Sequence, residues 1–132
     1  MVIEPSSKEP VVIGLLAGEP SGDLLGAGLM TALRAMLQDR EVTFMGVGGA
    51  RMQAAGLICL ADFETLSVNG FREPILRLPQ LYRLYRELST TLVEARIDAF
   101  VGIDFNVFNF ILEARLKRQG IPTAHYVSPS VY

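Results

Sequence analysis

Apolar and polar positions along this chain alternate in blocks that predict strands and helices in turn. Val11–Ala17 is a continuous apolar run, which favours a strand buried on both faces of a sheet. Apolar residues then recur at helical spacing, which predicts a helix from Gly22 to about Gln38. The next blocks predict a strand over Val42–Val47, a short helical turn over Arg51–Ala55 and a short strand over Leu57–Leu60.

The second half of the chain repeats this alternation. A helical stripe begins at Leu78, and the run Ala99–Ile103 predicts a strand that stops at Asp104. Another helix follows and ends at Gly120, and Thr123–Val127 predicts a last strand. Strands that alternate with helices indicate an α/β fold, in which a parallel sheet with right-handed crossovers carries helices on both faces.

Composition narrows the class of protein. A chain of 132 residues is one domain by length, and its first ten residues are a polar tail expected to be disordered or extended. The formal net charge of −2 gives no overall indication of nucleic-acid binding, since proteins that bind nucleic acid usually have a strongly basic face. The sequence shows no signal segment and no run of roughly 20 apolar residues. Its single cysteine, Cys59, is expected to be a small buried apolar residue. One cysteine excludes an internal disulfide and is consistent with a reducing compartment. These features indicate a cytoplasmic protein.

The loop after the first predicted strand is the strongest candidate for chemistry. Gly18 and Gly22 allow close approach of a ligand to the backbone, and Ser21 or Asp23 is expected to cap the following helix. The carboxyl end of a parallel strand is where ligands bind in such sheets. The segment contains neither G-x-G-x-x-G nor G-K-[ST], so no dinucleotide or Walker phosphate loop is indicated.

Four motifs carry a resemblance to a known family. They are A-G-E-P-S-G-D-L-L-G-A-G-L (Ala17–Leu29), G-V-G-G-x-R-M (Gly46–Met52), V-G-I-D (Val101–Asp104) and H-Y-V-S-P-S-V (His125–Val131). In this order and spacing they resemble the N-terminal part of the lipid-A-disaccharide synthases, which are inverting glycosyltransferases. The resemblance covers the chain from Val12 to Val131 and implies the N-terminal, Rossmann-like half of a GT-B fold, over residues 11–132.

The resemblance also implies a reaction and its partners. A 2,3-diacylglucosamine unit passes from UDP to 2,3-diacylglucosamine 1-phosphate and forms a β-1,6 linkage. The partners are these two acylated substrates, the inner-membrane surface and a C-terminal donor domain that is expected to be missing from a truncated chain. No cofactor is implied, and the sequence shows no metal-ligand spacing. A fragment without the donor domain is expected to be inactive.

Two acidic residues are the catalytic candidates that this resemblance implies. Asp104 is the first choice for the base, and Glu19 is a rival base or an acceptor-binding group. The alternatives are that Asp104 caps the helix beginning near Asn106 and that Glu19 is a solvated loop residue. The family pattern I-D-A-P-D-F-N reads I-D-F-N-V-F-N here, so Val107 replaces a second acid. If that acid orients substrate, activity is impaired.

Further candidates for substrate binding lie near predicted strand ends. They are Gly18, Ser21, Gly22, Gly49, Arg51, Asn109, Ser128 and Ser130. Arg51 could bind the acceptor phosphate, although a lone arginine on a helical turn is more often solvated. The only histidine, His125, is expected to pack inside the sheet with one satisfied nitrogen.

The stretch from residue 69 to 86 interleaves apolar residues with arginines. Apolar anchors with basic flanks are typical of a helix at an anionic membrane surface, whereas the alternative is an amphipathic helix packed on the sheet. Packing is preferred for Leu84, Leu88 and Leu92. Membrane or lipid contact is predicted for Phe71, Ile75, Leu76, Leu78, Leu81 and Tyr82.

Two rival functions remain open at this point. A non-catalytic lipid- or membrane-binding remnant of a truncated gene is supported by Val107 and by the early end of the sequence. A dinucleotide-binding domain has the same predicted sheet but requires the glycine fingerprint that this chain lacks.

Overall fold

A computed structural model describes residues 9–63, 74–104 and 107–126, with the backbone alone for 74–78 and for 107. The elements in chain order are β1 (Val11–Ala17), α1 (Pro20–Met36), β2 (Val42–Val47), α2 (Ala50–Ala54), β3 (Leu57–Cys59), α3 (Pro74–Glu94), β4 (Ala99–Ile103), α4 (Val107–Arg118) and β5 (Thr123–Tyr126).

The sheet has the strand order of a Rossmann-like fold. The described residues form one five-stranded sheet in the order β3-β2-β1-β4-β5, and every neighbouring pair is parallel. β1 is the central strand: β2 and β3 lie on one side of it, and β4 and β5 lie on the other. The pairing of Ala17 with Ile103 brings the carboxyl ends of β1 and β4 side by side. The α/β sheet predicted from the alternation is confirmed.

Two hydrophobic cores cover the two faces of this sheet. Ile13 and Leu15 of β1 point into one core, where they pack with residues of α1 and α2 such as Met30 and Met52. Leu16 packs on the opposite face with residues of α3 and α4. A continuous apolar run such as β1 is therefore buried on both sides, as helix-covered parallel strands are.

The helices begin and end close to the predicted boundaries. α1 begins at Pro20, two residues before the prediction, because proline is favoured in the first turn of a helix. α3 begins at Pro74 rather than Leu78 and contains Pro79. Leu88 and Leu92 are buried against the sheet, as predicted. None of the helices within the described ranges is long and apolar enough to cross a bilayer.

One expectation about burial is wrong. Cys59 is exposed rather than buried, because β3 is an edge strand whose last two residues are open to solvent. Its Sγ lies 3.5 Å from the Gly48 carbonyl oxygen. The predicted N-terminal tail lies outside the described residues, apart from Glu9 and Pro10.

Two substitutions on α3 test which side of this helix packs on the sheet. Leu88→Ala is expected to lower the free energy of unfolding by about 2–4 kcal/mol, because a buried leucine leaves a cavity. Tyr82→Ala is the matched control, since this side chain is 60% exposed, and should change the same quantity by less than about 0.5 kcal/mol. Urea unfolding measures both, and equal losses would contradict the described packing.

Candidate active site

The candidate site lies where β1 and β4 end side by side. The sheet order reverses at this boundary, because the crossover from β1 leads to β2 on one side and β4 lies on the other. Such a switch point opens a crevice at the carboxyl edge of a parallel sheet, and ligands bind there. The loop containing Gly18 and Glu19 follows β1, and Asp104 follows β4. Because β1 and β4 are neighbours, the loop that carries Glu19 lies beside Asp104.

Asp104 is a buried carboxylate with one backbone donor. Its side chain accepts a hydrogen bond at Oδ2 from the Gly18 N–H, at 3.1 Å, and the residue is only 6% exposed. Within the described part of the chain, Oδ1 has no hydrogen-bond partner. The backbone of Asp104 has a φ of +70°, a left-handed conformation in which aspartate and asparagine are enriched among non-glycine residues. One oxygen of this buried carboxylate is therefore unpaired among the described residues at the sheet edge.

The environment of Asp104 changes its acidity. The pKa of Asp104 is raised from 3.8 to about 6, mainly by burial and also by the negative charge of Glu19. The N–H groups of Gly18 and Glu19 and the charge of His125 act in the opposite direction. A carboxylate with a pKa of about 6 is ionised near neutral pH and is also a much stronger base than an ordinary aspartate. This combination suits general-base chemistry.

Gly22 permits this arrangement because it has no side chain. A Cβ at this position would collide with Oδ2 of Asp104, so the first turn of α1 contacts the carboxylate directly. Ser21 lies beside it on the exposed side of the same turn, and Glu19 is half-buried at the start of the helix. The structure thus brings Gly18, Glu19, Ser21 and Gly22 together around Asp104.

The expected capping role of Ser21 and Asp23 in α1 is not found. Glu19 occupies the N-cap position of α1 without a side-chain hydrogen bond. Asp23 instead reaches the neighbouring helix, where its carboxylate accepts the N–H groups of Gly49, Arg51 and Met52 at 2.9–3.0 Å. Asp23 therefore caps α2 from a distance of 26 to 29 residues along the chain, and sequence reasoning missed this role.

Gly49 and Arg51 lie in the loop after β2 and at the start of α2. The Gly49 amide is bound to Asp23, and the glycine is buried. The Arg51 backbone is held in the same way, while the residue is exposed at the same edge of the sheet. Exposure agrees with the solvated alternative for Arg51 and leaves its guanidinium accessible to a ligand.

Asn109 ties together the two strands that form the site. Its side chain is fully buried, and Nδ2 donates to the carbonyl oxygens of Leu16 at 3.1 Å and Ile103 at 3.0 Å. These carbonyl groups lie at the carboxyl ends of β1 and β4. The predicted substrate-binding residue thus holds the protein's own backbone, and its Oδ1 has no partner among the described residues.

His125 has a charged partner that sequence reasoning missed. Nδ1 of His125 lies 2.7 Å from Oε2 of Glu113 on α4, and the ring stacks on Phe110 with a centroid distance of 4.5 Å. The expected packing of His125 with a bonded ring nitrogen is therefore found. The twelve-residue separation between Glu113 and His125 crosses from a helix to a strand, so no local pattern signals their contact.

The remaining predicted residues are only partly described. Ser128, Ser130 and Phe71 lie outside the described residues, as do Phe105 and Asn106 of the altered family motif. For Ile75, Leu76 and Leu78 the backbone alone is described. Leu81 packs against the core beneath α3, whereas Tyr82 is largely exposed.

Comparisons with known proteins agree with these motifs. A family model described as lipid-A-disaccharide synthetase matches residues 13–132. The lipid-A-disaccharide synthase of Sodalis glossinidius is 53% identical over 126 residues, which cover 96% of this chain and 32% of that protein. The synthase of Chromobacterium violaceum is 49% identical over 95% of this chain, and that of Pseudomonas paraeruginosa is 50% identical over 91%. The chain spans about a third of the length of the curated relatives it matches.

Burial disfavours the ionised form of Asp104, so a neutral residue at this position should make the fold more stable. Because the pKa of Asp104 is higher in the folded protein than the ordinary 3.8, the proton stabilises the fold fully below pH 3.8, and this stabilisation is lost as the pH rises through 6. Asn at this position stays neutral, can accept the Gly18 N–H and tolerates positive φ. Asp104→Asn should therefore raise the melting temperature at pH 7 by about 2–6 °C.

Thermal unfolding followed by circular dichroism at pH 4 and pH 7 measures this effect. The gain should shrink at pH 4, where the wild-type carboxyl is largely protonated. Asp39→Asn, in the exposed turn after α1, is the control and should show no comparable gain. A lower melting temperature for Asp104→Asn at pH 7 would contradict the described environment.

Proposed function

The chain belongs to the lipid-A-disaccharide synthetase family, and we propose that it forms the acceptor-side half of an inverting glycosyltransferase active site. The complete enzyme transfers 2,3-diacylglucosamine from UDP to the 6-hydroxyl of 2,3-diacylglucosamine 1-phosphate and forms a β-1,6 disaccharide. The relatives are about three times as long as the matched region, and their remaining part supplies the UDP-sugar side of a GT-B cleft. The 132 residues alone are therefore inactive.

The observation that carries this proposal is the environment of Asp104. A base is required because the acceptor hydroxyl must lose its proton as its oxygen attacks the anomeric carbon. In this proposal Oδ1 of Asp104 takes that proton, the new C–O bond forms, and the bond from the anomeric carbon to UDP breaks. UDP leaves with the electron pair of that bond. The hydrogen bond from Gly18 holds Oδ2 against the loop after β1 and leaves Oδ1 as the acceptor.

The residues around Asp104 place the acceptor. Glu19 lies half-buried beside the carboxylate and accepts a sugar hydroxyl, which orients the 6-hydroxyl toward Asp104. Gly18, Ser21 and Gly22 form the wall of the site at the start of α1. At the neighbouring strand end, the exposed Arg51 next to Gly49 binds the acceptor phosphate. Asn109 acts indirectly, by holding the ends of β1 and β4 in register.

The surface of α3 gives the acylated substrates a route from the bilayer. Tyr82 is 60% exposed, and Arg83 and Arg86 are exposed near it. An aromatic side chain with basic neighbours suits the interface of an anionic membrane. We infer that the enzyme lies peripherally on the cytoplasmic face of the inner membrane and that Phe71, Ile75, Leu76, Leu78 and Tyr82 contact lipid. Leu81 is not in this set, because it packs against the core.

A non-catalytic remnant is less well supported than an enzyme. Val107 replaces the second acid of the family motif, but the buried Asp104, the Gly18 contact and the close approach of Gly22 are all retained. These features maintain the acidity of a base and have no use in a lipid-binding remnant. Family membership also disfavours the dinucleotide-binding alternative.

A chimeric enzyme tests the catalytic assignment. Residues 1–132 are fused to the remaining two-thirds of the Sodalis glossinidius relative, and disaccharide formation is assayed in vitro and by rescue of a synthase-deficient strain. The chimera should be active, and Asp104→Asn should lower its rate about 10²–10⁴-fold because the base is lost. Asp39→Asn is the control and should keep the rate.

Three results would contradict the proposal. They are an inactive chimera that is folded, an Asp104→Asn chimera with a near-normal rate, and disaccharide formation by residues 1–132 alone. Unfolding does not explain a loss of rate in Asp104→Asn, because this substitution is expected to stabilise the chain.

Vesicle binding tests the membrane surface separately. The chain should co-sediment with vesicles containing phosphatidylglycerol, and binding should weaken with added salt because the arginines contribute. Tyr82→Ala should weaken the partition constant about three- to tenfold, since an interfacial aromatic anchor is lost. Met36→Ala is the control, because this side chain is 77% exposed on α1. Equal weakening by both substitutions would contradict an α3-directed surface.

A further inference from the structure

Asp23 joins the start of α1 to the loop that carries Arg51. Its Oδ1 accepts the N–H groups of Gly49 at 2.9 Å and Met52 at 3.0 Å. Its Oδ2 accepts the N–H of Arg51 at 3.0 Å, and the residue is only 7% exposed. The two oxygens of one buried carboxylate therefore have separate partners, and only Oδ2 holds the backbone of the arginine.

The residues on either side of Arg51 are fixed by close packing. A Cβ on Gly49 would collide with the carboxylate of Asp23, so the loop approaches this carboxylate directly. Met52 is fully buried, and its Sδ fills the space that Gly26 leaves on α1 by having no side chain. Arg51 itself is exposed. A fixed backbone thus carries an exposed cation at the carboxyl edge of the sheet.

The same turn of α1 contacts the candidate base. Gly22, which precedes Asp23, lies against Oδ2 of Asp104. Consecutive residues of α1 therefore contact the carboxylate that takes the proton in the proposed reaction and the loop that binds the acceptor phosphate there. Because a transfer reaction depends on how its groups are oriented, the position of Arg51 relative to Asp104 affects how the acceptor is held.

The contacts of Asp23 also decide which donor of this loop meets a phosphate. Backbone N–H groups at the start of a helix commonly bind phosphate, but those of Gly49, Arg51 and Met52 are taken up by Asp23. The guanidinium of Arg51 is a planar fork of N–H donors that matches the geometry of a phosphate. The acceptor phosphate is therefore expected to meet the side chain of this loop rather than its backbone.

We propose that Asp23 is a positioning residue for the acceptor phosphate, and that it acts by holding the backbone of Arg51 through its Oδ2. This inference rests on the proposed function, in which Arg51 binds that phosphate. Asp23 does not touch the substrate. Its buried carboxylate fixes the point from which the guanidinium extends.

α1 also holds the far end of α2, which provides a matched control. Arg34, in the last turn of α1, donates from Nη2 to the carbonyl oxygen of Ala55 at 3.3 Å and from Nη1 to that of Val42 at 3.2 Å. α2 is therefore attached to α1 at both ends, by Asp23 where it begins and by Arg34 where it ends. Arg34→Gln removes the second attachment and leaves the bond from Asp23 to Arg51 in place.

The first test uses Asp23→Asn, which separates the two oxygens. An asparagine has one acceptor oxygen, so its NH2 group must face at least one of the backbone N–H groups that the carboxylate accepts. The orientation that keeps the bonds to Gly49 and Met52 releases Arg51. Hydrogen exchange of the Arg51 amide, followed by NMR, should therefore become about tenfold faster relative to the amides of Gly49 and Met52.

The second test measures phosphate binding by the chain without an activity assay. Glucosamine 1-phosphate is titrated into the chain and its variants, and its dissociation constant is measured by NMR. Asp23→Asn should raise this constant about three- to tenfold. Loss of a negative charge by itself would strengthen the binding of a phosphate, so the expected weakening has the opposite sign to a simple charge effect. Arg34→Gln should change the constant less than about twofold.

The third test asks whether Asp23 acts through Arg51. In the chimeric enzyme, Asp23→Asn should raise the KM for the acceptor about three- to tenfold and change kcat less than about twofold. In an Arg51→Gln background the same substitution should cause no further rise, because the guanidinium that it positions is gone. A purely structural role of Asp23 would lower kcat or would persist in that background.

The outcomes separate this inference from the proposed function. Weaker binding in Asp23→Asn that disappears in the Arg51→Gln background supports the inference. Unchanged or tighter binding, an equal weakening by Arg34→Gln, or a loss that persists without the guanidinium overturns it. If Arg51→Gln alone leaves the acceptor KM unchanged, the phosphate-binding role in the proposed function is wrong and this inference falls with it.

A second variant keeps the test decisive if Asp23→Asn does not fold. Asp23→Ser retains a single capping oxygen and replaces it in the same three measurements. Failure of both variants to fold assigns Asp23 to structural support alone and also overturns the inference.

Discussion

A buried carboxylate held against a backbone amide, across the boundary between β1 and β4, is the constraint on which the site depends. The contact of Asp104 with the Gly18 N–H requires the two strands to end at the same level, and the bonds from Asn109 to Leu16 and Ile103 hold them there. It also requires a glycine at position 22, because any side chain would displace the carboxylate. The positive φ of Asp104 completes the turn away from the sheet. These features lower the stability of the fold, which is expected where a buried carboxylate serves a function.

Comparison of the two buried aspartates shows why one suits catalysis and the other suits structure. Asp23 receives three backbone N–H groups, which satisfy its charge and fix α2. Asp104 receives one hydrogen bond at Oδ2, and its other oxygen is buried without a partner in the described chain. Burial without full compensation raises the pKa of a carboxyl group. A charged Asp104 therefore lowers the stability of the fold near neutral pH, and the proposed function gives this group the role of a base there.

The sequence predicted the fold more completely than it predicted the site. Three strand predictions (Val11–Ala17, Val42–Val47 and Ala99–Ile103) coincide with the observed strands, because residues buried on both faces must be apolar throughout. The exposure of Cys59 was missed, since local pattern does not say which strand lies at the edge. Asp104 and Glu19 were predicted as candidates from their places after strands together with the family resemblance, since position alone left helix capping equally open for Asp104.

The side-chain partners within the site could not be predicted in this way. Asp23 was expected to cap its own helix but binds amides 26 or more residues further along the chain. No sequence pattern in α4 marks Glu113 as the partner of His125. Their contact requires the space that Gly102 leaves by having no side chain. Such contacts are set by tertiary packing, where glycines decide which elements approach closely. The family resemblance identified important positions, but it did not give these contacts.

The amide proton of Gly18 offers the most direct test of the central claim, because it reports both the contact and the charge of Asp104. Its chemical shift, followed by NMR through a pH titration of the chain, should change with a midpoint near 6 as the carboxyl group ionises. A midpoint near 3.8 would mean that Asp104 behaves as an ordinary solvated aspartate. A shift that does not change between pH 3 and pH 8 would mean that the hydrogen bond is absent, and either result would contradict the account.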